Sequence, residues 1–153
     1  MTTITASERQ ELISSSLKAR DLSYSPYSKF RVGAAILTKD KQIILGANVE
    51  NASYGATICA ERTAFVKAIT EGHKQGTFLA VSISGDIDNH CSPCGICRQF
   101  MREFCSLDMP IYLPYSSWTK EKDIERTTVI NTTLGTLLPM SFGPEDLDRE
   151  RKS

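Results

Sequence analysis

The chain has 153 residues, and its 18 Lys and Arg residues are balanced by 18 Asp and Glu residues, so the formal net charge is zero. This balance excludes the strongly basic surface that binds nucleic acid or an acidic membrane, and it favours a small-molecule ligand. The length suits one domain, which we expect to span residues 1–153. Because the first residues show no basic segment followed by an apolar run, and no stretch is long enough to cross a membrane, we expect a cytoplasmic protein.

Helical and strand patterns alternate along the chain. Ser7 with Gln10 three residues later indicates a capping box, and the apolar spacing predicts a first helix over residues 7–21. A hairpin with its turn at residues 39–41 is predicted next. The predicted strands are residues 32–37, 43–50, 78–84, 110–114 and 127–131. The later predicted helices are residues 59–72, a helix that begins at the Cys94 and Cys97 pair and ends near residue 104, and residues 134–138 and 144–151. This alternation predicts one sheet with helices on both faces.

The cysteines indicate a metal site. Their number is five, which argues against a framework of disulfides in a chain without an export signal. Cys94 and Cys97, with two residues between them, begin one predicted helix, and Cys59 begins another. A helix N-terminus favours the thiolate that binds zinc. Three thiolates leave a fourth position for water, so the pattern predicts a catalytic zinc site.

Charged residues beside these cysteines fit that chemistry. Glu61 lies two residues after Cys59, where it could reach the water without being a ligand. Three thiolates and one dication leave a net negative charge, which would weaken the pull of the metal on its water. We therefore expect a compensating cation, and Arg62 and Arg98 are the candidates because each lies beside a ligand.

A structural zinc site is the alternative interpretation of the same cysteines. Such a site normally has a fourth protein ligand, and His90 and Cys91 are the nearby candidates. Cys91 and Cys105 are otherwise expected to be packed thiols, since a free cysteine behaves as a small hydrophobic residue.

Several motifs in one order carry a resemblance to a known family. Zinc deaminases have a Cys or His, then Glu two residues on, and then Pro-Cys-x-x-Cys. The chain matches this pattern and resembles the small, homotetrameric, three-cysteine cytidine deaminases over roughly residues 8–147. Besides the metal motif, the resemblance rests on residues 24–35, 48–54 and 137–147. It implies a three-layer α/β/α fold with a mixed five-stranded sheet.

The resemblance also implies an activity. One zinc ion per chain would lie on Cys59, Cys94 and Cys97, and Glu61 would move protons during the hydrolytic deamination of cytidine or 2′-deoxycytidine, a reaction of pyrimidine salvage. The further roles that it implies are base packing by Phe30, binding of the ribose 3′-hydroxyl by Asn48 and Glu50, an N–H to the ring carbonyl from Ala60, and contacts to the adjacent subunit's site from Ala52, Tyr54 and Phe142.

Other functions share parts of this sequence pattern. A deaminase of a modified cytosine nucleoside such as blasticidin S shares the zinc motif, but the ribose-binding Asn48 and Glu50 argue against it. A nucleotide deaminase needs cations for phosphate, and Glu50 has the opposite charge. An editor of polynucleotides would need a basic groove, and a non-catalytic zinc protein would need a closed metal site. Residues 116–125 form a longer region than in small relatives and are expected to alter a surface or a subunit contact.

Overall fold

The protein is described by a computed structural model that covers residues 3–125 and 127–151. Within these residues, short 3₁₀ turns lie at Arg20–Leu22, Tyr54–Ala56 and Lys122–Glu125. The strands and α-helices are α1 (Ala6–Ala19), β1 (Val32–Thr38), β2 (Ile43–Ala47), α2 (Ala60–Thr70), β3 (Phe78–Gly85), α3 (Gly95–Phe104), β4 (Pro110–Pro114), β5 (Val129–Thr133), α4 (Leu134–Leu137) and α5 (Pro144–Leu147).

The strands form one mixed sheet in the order β2-β1-β3-β4-β5. The β3–β4 pair is parallel, and each of the other neighbouring pairs is antiparallel. In the register of the central strand, Ala35 lies opposite Leu45 on one side and Ser82 on the other. The predicted five-stranded mixed sheet is therefore confirmed.

Alternate residues of β1 face different helices. Ala34 and Ile36 belong to the main buried cluster, together with Phe65 of α2. Ala35 belongs to a second cluster with Leu12 of α1. Because successive side chains of a strand point to opposite faces, α1 covers one face of the sheet and α2 covers the other. This arrangement confirms the predicted three layers.

The first helix begins earlier than predicted. Thr5 accepts a hydrogen bond on Oγ1 from the Glu8 N–H at 3.1 Å, and Glu8 accepts one from the Thr5 N–H at 2.9 Å. This reciprocal pair is the capping box, so the prediction that Ser7 and Gln10 form it was wrong. The helix ends at Ala19, before the predicted end, because the next residues tighten into a 3₁₀ turn.

The hairpin is present, but its second strand is shorter than predicted. Lys41 adopts a φ of 66° in the turn. The strand β2 ends at Ala47, and Val49 then makes only single bridges, to Tyr24 and to Ile58. The chain therefore leaves the sheet just before the polar residues that were predicted to face a ligand.

A glycine brings α2 close to β2. A Cβ on Gly46 would lie 2.4 Å from the backbone nitrogen of Ala64 and 2.6 Å from the carbonyl oxygen of Ala60. Any larger residue would push the helix away from the strand. This close contact fixes the N-terminal turn of α2, which carries part of the site described below.

Residues 116–125, the longer region, pack onto α1. Trp118 is 6% exposed and lies in a cluster with Ile13 and Val129. Asp123 accepts hydrogen bonds from Arg9 at 2.5 Å and from the Trp118 indole N–H at 3.2 Å. The region therefore contributes to the core as well as to the surface.

The C-terminal elements differ in their bounds from the prediction. The last strand lies two residues further along the chain than predicted, because Pro110 pairs with Thr133 and extends the ladder. The final helix ends at Leu147, four residues before the predicted end. None of the described helices combines the length and the apolar character needed to cross a membrane.

Candidate metal centre and active site

Three sulfur atoms converge at the N-termini of α2 and α3. Cys59 is the N-cap residue of α2, Cys94 is the N-cap residue of α3, and Cys97 lies in the first turn of α3. Their Sγ atoms all lie within 4.8 Å of one another, and the Cys59 and Cys94 sulfurs are 3.9 Å apart. Tetrahedral zinc with Zn–S bonds of about 2.3 Å requires a spacing of about 3.8 Å, so the donor set and its spacing fit zinc.

The two candidates for a fourth protein ligand lie elsewhere. The exposed His90 has its Nδ1 atom 2.8 Å from Oδ1 of Asn89. The Cys91 sulfur packs against Gly85, where an added Cβ would lie 3.0 Å from it. Across residues 3–125 and 127–151, the trio of sulfurs is the only such metal-binding group, and neither candidate belongs to it. This arrangement favours an open site over a closed structural one.

Hydrogen bonds favour a thiolate at Cys59. Donation from the Cys97 thiol and from Arg62 lowers the pKa of Cys59 to about 5, against the opposing effect of burial. The Arg62 Nη2 atom lies 3.5 Å from the Cys59 sulfur. The same thiolate, together with burial, raises the pKa of Cys97. A charge of this kind is what a metal cation would bind.

Arg98 has a different environment from Arg62. Its Nε donates to the Pro93 carbonyl and its Nη1 to the Leu137 carbonyl, both at 2.7 Å, and its Nη2 donates to the Ser92 hydroxyl at 2.9 Å. Of the two arginines predicted to balance charge at zinc, only Arg62 reaches a sulfur. Arg98 instead ties the segment before Cys94 to the end of α4.

Glu61 is a buried acid in the first turn of α2. The residue is only 4% exposed to solvent. Burial, assisted by the charge of Cys59, raises the pKa of Glu61 to about 7. A carboxyl group with this pKa can accept and return a proton near neutral pH, which is what general acid–base catalysis requires.

The Asn48 side chain is largely occupied inside the protein. Its Oδ1 accepts hydrogen bonds from the Ser23 hydroxyl at 2.5 Å and from the Val32 N–H at 2.9 Å. Its Nδ2 donates to the Phe30 carbonyl at 2.9 Å. Because an amide nitrogen has two N–H groups, one donor remains for a ligand.

The Glu50 carboxylate binds the backbone of the loop that precedes β1. It accepts hydrogen bonds from the N–H groups of Tyr27 at 2.9 Å and Ser28 at 3.2 Å, and also from the Ser28 hydroxyl. The Ser28 hydrogen bond is the main reason that the pKa of Glu50 is lowered. Glu50 is therefore a fixed anion at this loop.

Comparisons with known proteins agree with this geometry. A family model described as "Cytidine and deoxycytidylate deaminase zinc-binding region" matches residues 6–113. A cytidine deaminase of Sporosarcina psychrophila is 47% identical over 138 residues, which cover 90% of this chain and 93% of that protein. The chain belongs to the cytidine deaminase family.

Further relatives of this deaminase family extend the match. A probable cytidine deaminase of Dictyostelium discoideum is 40% identical over 92% of this chain and 87% of its own length. The crystal structure of cytidine deaminase from Burkholderia pseudomallei superposes with a TM-score of 0.79 at 38% identity, and covers 91% of this chain and all of that chain. The match therefore extends over most of this chain as well as its metal motif.

Three residues that the deaminase resemblance assigns to a neighbouring site face outward. Tyr54 is 73% exposed, with its ring edge-on to Tyr27 at a centroid distance of 5.8 Å. Phe142 is 59% exposed, and its carbonyl accepts a hydrogen bond from Gln99 at 3.0 Å. Ala52 is also exposed. All three are accessible to a second subunit.

Sequence reasoning missed a polar anchor in this deaminase. Asp86 directly follows β3. Its carboxylate accepts hydrogen bonds from the Arg31 backbone N–H at 3.0 Å and from the Arg31 Nε at 2.9 Å, and the Arg20 Nη1 donates to it at 3.2 Å. Hydrogen bonds from Arg31 lower the pKa of Asp86. The sequence did contain a signal for this anchor, because Asp86 is an acidic residue directly after a buried strand. This anchor fixes the backbone beside Phe30.

Proposed function

We propose that this protein catalyses the hydrolytic deamination of cytidine and 2′-deoxycytidine, giving uridine and 2′-deoxyuridine with release of ammonia. One observation carries the proposal: the buried carboxyl of Glu61 lies on the helix turn that begins at Cys59, beside three sulfurs spaced for zinc. A nucleophile and a proton carrier are the two requirements for hydrolysis at a C–N bond. When bound, zinc supplies the Lewis acidity that makes water nucleophilic near neutral pH.

Glu61 is the catalytic residue in this proposal. Its carboxylate takes a proton from the attacking water and gives it to N3 of the cytosine ring, while the hydroxyl adds to C4. It then takes the remaining proton of that hydroxyl and gives it to the 4-amino group, which leaves as ammonia while the C4 carbonyl forms. The pKa of about 7 allows both directions of transfer.

Other residues hold the nucleoside. Ala60 is the first residue of α2, so its N–H has no acceptor within the helix and is free for the ring carbonyl. Phe30 provides a face for base packing. Asn48 has one free N–H for the ribose 3′-hydroxyl, and the fixed carboxylate of Glu50 can accept from the same group.

The active site is completed by a neighbouring subunit in this proposal. The resemblance assigns Tyr54 and Phe142 to the site of an adjacent chain, and both side chains are exposed enough for a second subunit to contact them. With Ala52 they would line the substrate site of an adjacent chain. We therefore propose a homotetramer with shared sites, in which the whole chain acts as one deaminase domain.

The thiol chemistry supports a reducing location. The five cysteines are all free, and three of them must remain reduced to bind zinc. We propose a cytoplasmic enzyme of pyrimidine salvage that acts on free nucleosides and binds neither nucleic acid polymers nor membranes.

The two alternatives are less well supported. A blasticidin S deaminase would not need the Asn48 and Glu50 pair beside the base-packing residue, and the relatives described above are named cytidine deaminases. A non-catalytic zinc protein would have a fourth protein ligand, whereas His90 and Cys91 lie outside the sulfur group.

A substrate panel tests the proposal. Zinc-loaded protein is incubated with cytidine, 2′-deoxycytidine, cytosine and cytidine monophosphate, and ammonia release is followed. We expect release from the two nucleosides, and little from the free base or the nucleotide. A Cys97→Ser variant, which lacks one zinc ligand, serves as the matched control. The proposal would be contradicted if the zinc-loaded protein released ammonia from neither cytidine nor 2′-deoxycytidine.

A further inference from the structure

The ring of Phe30 has a closely defined contact at its tip. A Cβ built on Gly85 would lie 3.0 Å from Cζ of Phe30 and 3.0 Å from Sγ of Cys91. Real Cβ atoms essentially never approach closer than this, so the ring and the sulfur together fill the space above the Gly85 backbone. None of the proposed catalytic steps uses Gly85 or Cys91.

The position of Gly85 in the sheet directs this contact toward the metal centre. Val81 and Ile83 of β3 point into the main buried cluster, which also contains Ala60 of α2. Because side chains alternate along a strand, Gly85 lies on the same face as these two residues. Phe30 and Cys91 therefore take the place of the side chain that Gly85 lacks.

The backbone on both sides of the Phe30 ring is fixed. The Phe30 N–H donates to the Ser28 hydroxyl at 3.0 Å, its carbonyl accepts from Asn48 at 2.9 Å, and the next N–H, of Arg31, donates to Asp86 at 3.0 Å. With the main chain held at three successive points, the contacts of the ring itself determine where it projects.

The cysteine side of the contact is also restrained. Cys91 precedes the segment that Arg98 holds through the Pro93 carbonyl at 2.7 Å. Burial raises the pKa of Cys91 to about 11, so its thiol stays neutral and packs as an apolar group. The Cys91 sulfur therefore offers an apolar contact beside Gly85, two residues before the restrained Pro93 carbonyl.

We propose that Gly85 and Cys91 form the seat of the Phe30 ring, and that they are positioning residues for stacking on the pyrimidine base. The absence of a side chain at residue 85 lets the ring lie down on the end of β3, and the sulfur supports its edge. The inference rests on the proposed function, because it takes Phe30 as the residue that packs on the base.

Adding one methyl group at the seat is the first test. In zinc-loaded Gly85→Ala, we expect the KM for cytidine and the Kd for uridine to rise about three- to tenfold, the range that loss of one aromatic stacking contact produces. The value of kcat should change much less, since Glu61 and the sulfurs are untouched. The matched control is Gly135→Ala, whose new Cβ would also lie 3.0 Å from a neighbour, the Leu107 carbonyl oxygen. It should lower the Tm without changing the Kd for uridine.

Changes at the sulfur give an independent second test. Cys91→Ala should weaken uridine binding about threefold or more, and Cys91→Val, which restores an apolar group of similar volume, should recover most of it. Cys105→Ala is the matched control, because Cys105 is also packed, 6% exposed, in the main buried cluster. That control should lower the Tm and leave uridine binding unchanged.

The outcomes separate the inference from the proposed function. If Gly85→Ala or Cys91→Ala lowers the Tm but binds uridine as the wild type does, the seat is ordinary packing and the inference is wrong. If the Gly85 variant fails to fold, the comparison of Cys91→Ala with Cys91→Val decides. If the wild type itself neither binds uridine nor deaminates cytidine, the proposed function fails before any variant is measured, and the inference fails with it.

Discussion

The Arg62 guanidinium donates from Nη2 to the Cys59 sulfur across 3.5 Å. Both residues lie in the first turn of α2, so the helix that provides one ligand also provides the cation beside it. Three thiolates and one zinc ion would carry a net charge of about −1, which a guanidinium at this distance would offset. We therefore expect Arg62 to preserve the ability of a bound zinc ion to activate water.

Removing this cation should lower turnover. In zinc-loaded Arg62→Met we expect kcat to fall about tenfold or more, which corresponds to the 1.5–3 kcal/mol typical of a hydrogen bond to a charged group. Steady-state ammonia release and metal analysis check the result. Arg98→Met is the comparison: it leaves two carbonyls without their donor, so it should lower the Tm and affect kcat less. An equal loss of kcat in both variants would contradict the assignment.

The Asp86 anchor should make stability depend on pH in the acid range. Hydrogen bonds from Arg31 lower its pKa in the folded protein, whereas an unfolded Asp titrates near about 3.9. A lowered folded pKa stabilises the protein above the unfolded value, and this contribution is lost as the pH falls through the folded value.

The Asp86→Asn variant tests this contribution to stability. We expect it to cost about 1–3 kcal/mol at neutral pH, because it loses charge-assisted hydrogen bonds. Urea unfolding of wild type and variant over a pH series should show the difference shrinking below about pH 4. A difference that stays constant through the acid range would show that the charge of Asp86 does not act in this way.

The structure also shows which parts of the fold could be predicted. The helix and strand pattern gave the layers and the five-stranded sheet, since alternation of apolar residues reports burial directly. The exact helix start was missed because Thr5 with Glu8 and Ser7 with Gln10 both fit the capping-box pattern, and the structure shows that Thr5 and Glu8 form the reciprocal pair. The last strand was displaced by two residues because its register depends on the partner strand.

The residues of the candidate site could also be predicted only in part. Cys94 and Cys97 could be recognised because their ligand spacing is local in sequence. The guanidinium contacts could not be predicted: Arg62 lies three residues after Cys59 and Arg98 directly follows Cys97, so the sequence places both near a ligand and does not show which side chain reaches a sulfur. The contact of Gly85 with Phe30 joins residues 55 positions apart, so no local sequence motif could have predicted it.

Phe142 provides a test of shared active sites. A ring that packs on a neighbouring chain's substrate should, as Phe142→Ala, raise the KM several-fold, because an aromatic contact contributes about 0.5–1.5 kcal/mol beyond area burial. If Phe142 instead only caps its own chain, the variant should melt earlier with an unchanged KM.

Mixing subunits distinguishes these two accounts. Chains carrying Phe142→Ala are unfolded and reassembled with chains carrying Glu61→Gln, and activity is compared with that of each variant alone. Shared sites predict recovered activity in the mixture, because some sites then combine an intact acid with an intact neighbouring Phe142. Activity no higher than the average of the two separate variants would argue against sharing.

In the proposed reaction, Glu61 moves protons beside a zinc ion held by three cysteines. The most direct measurement compares wild type and Glu61→Gln, both with their zinc content determined, for release of ammonia from cytidine. We expect one zinc ion per chain in both proteins, a similar Tm, and a loss of at least about a hundredfold in kcat for the variant, the lower range for general acid–base catalysis. Deamination at close to the wild-type rate by the zinc-loaded variant would contradict the claim.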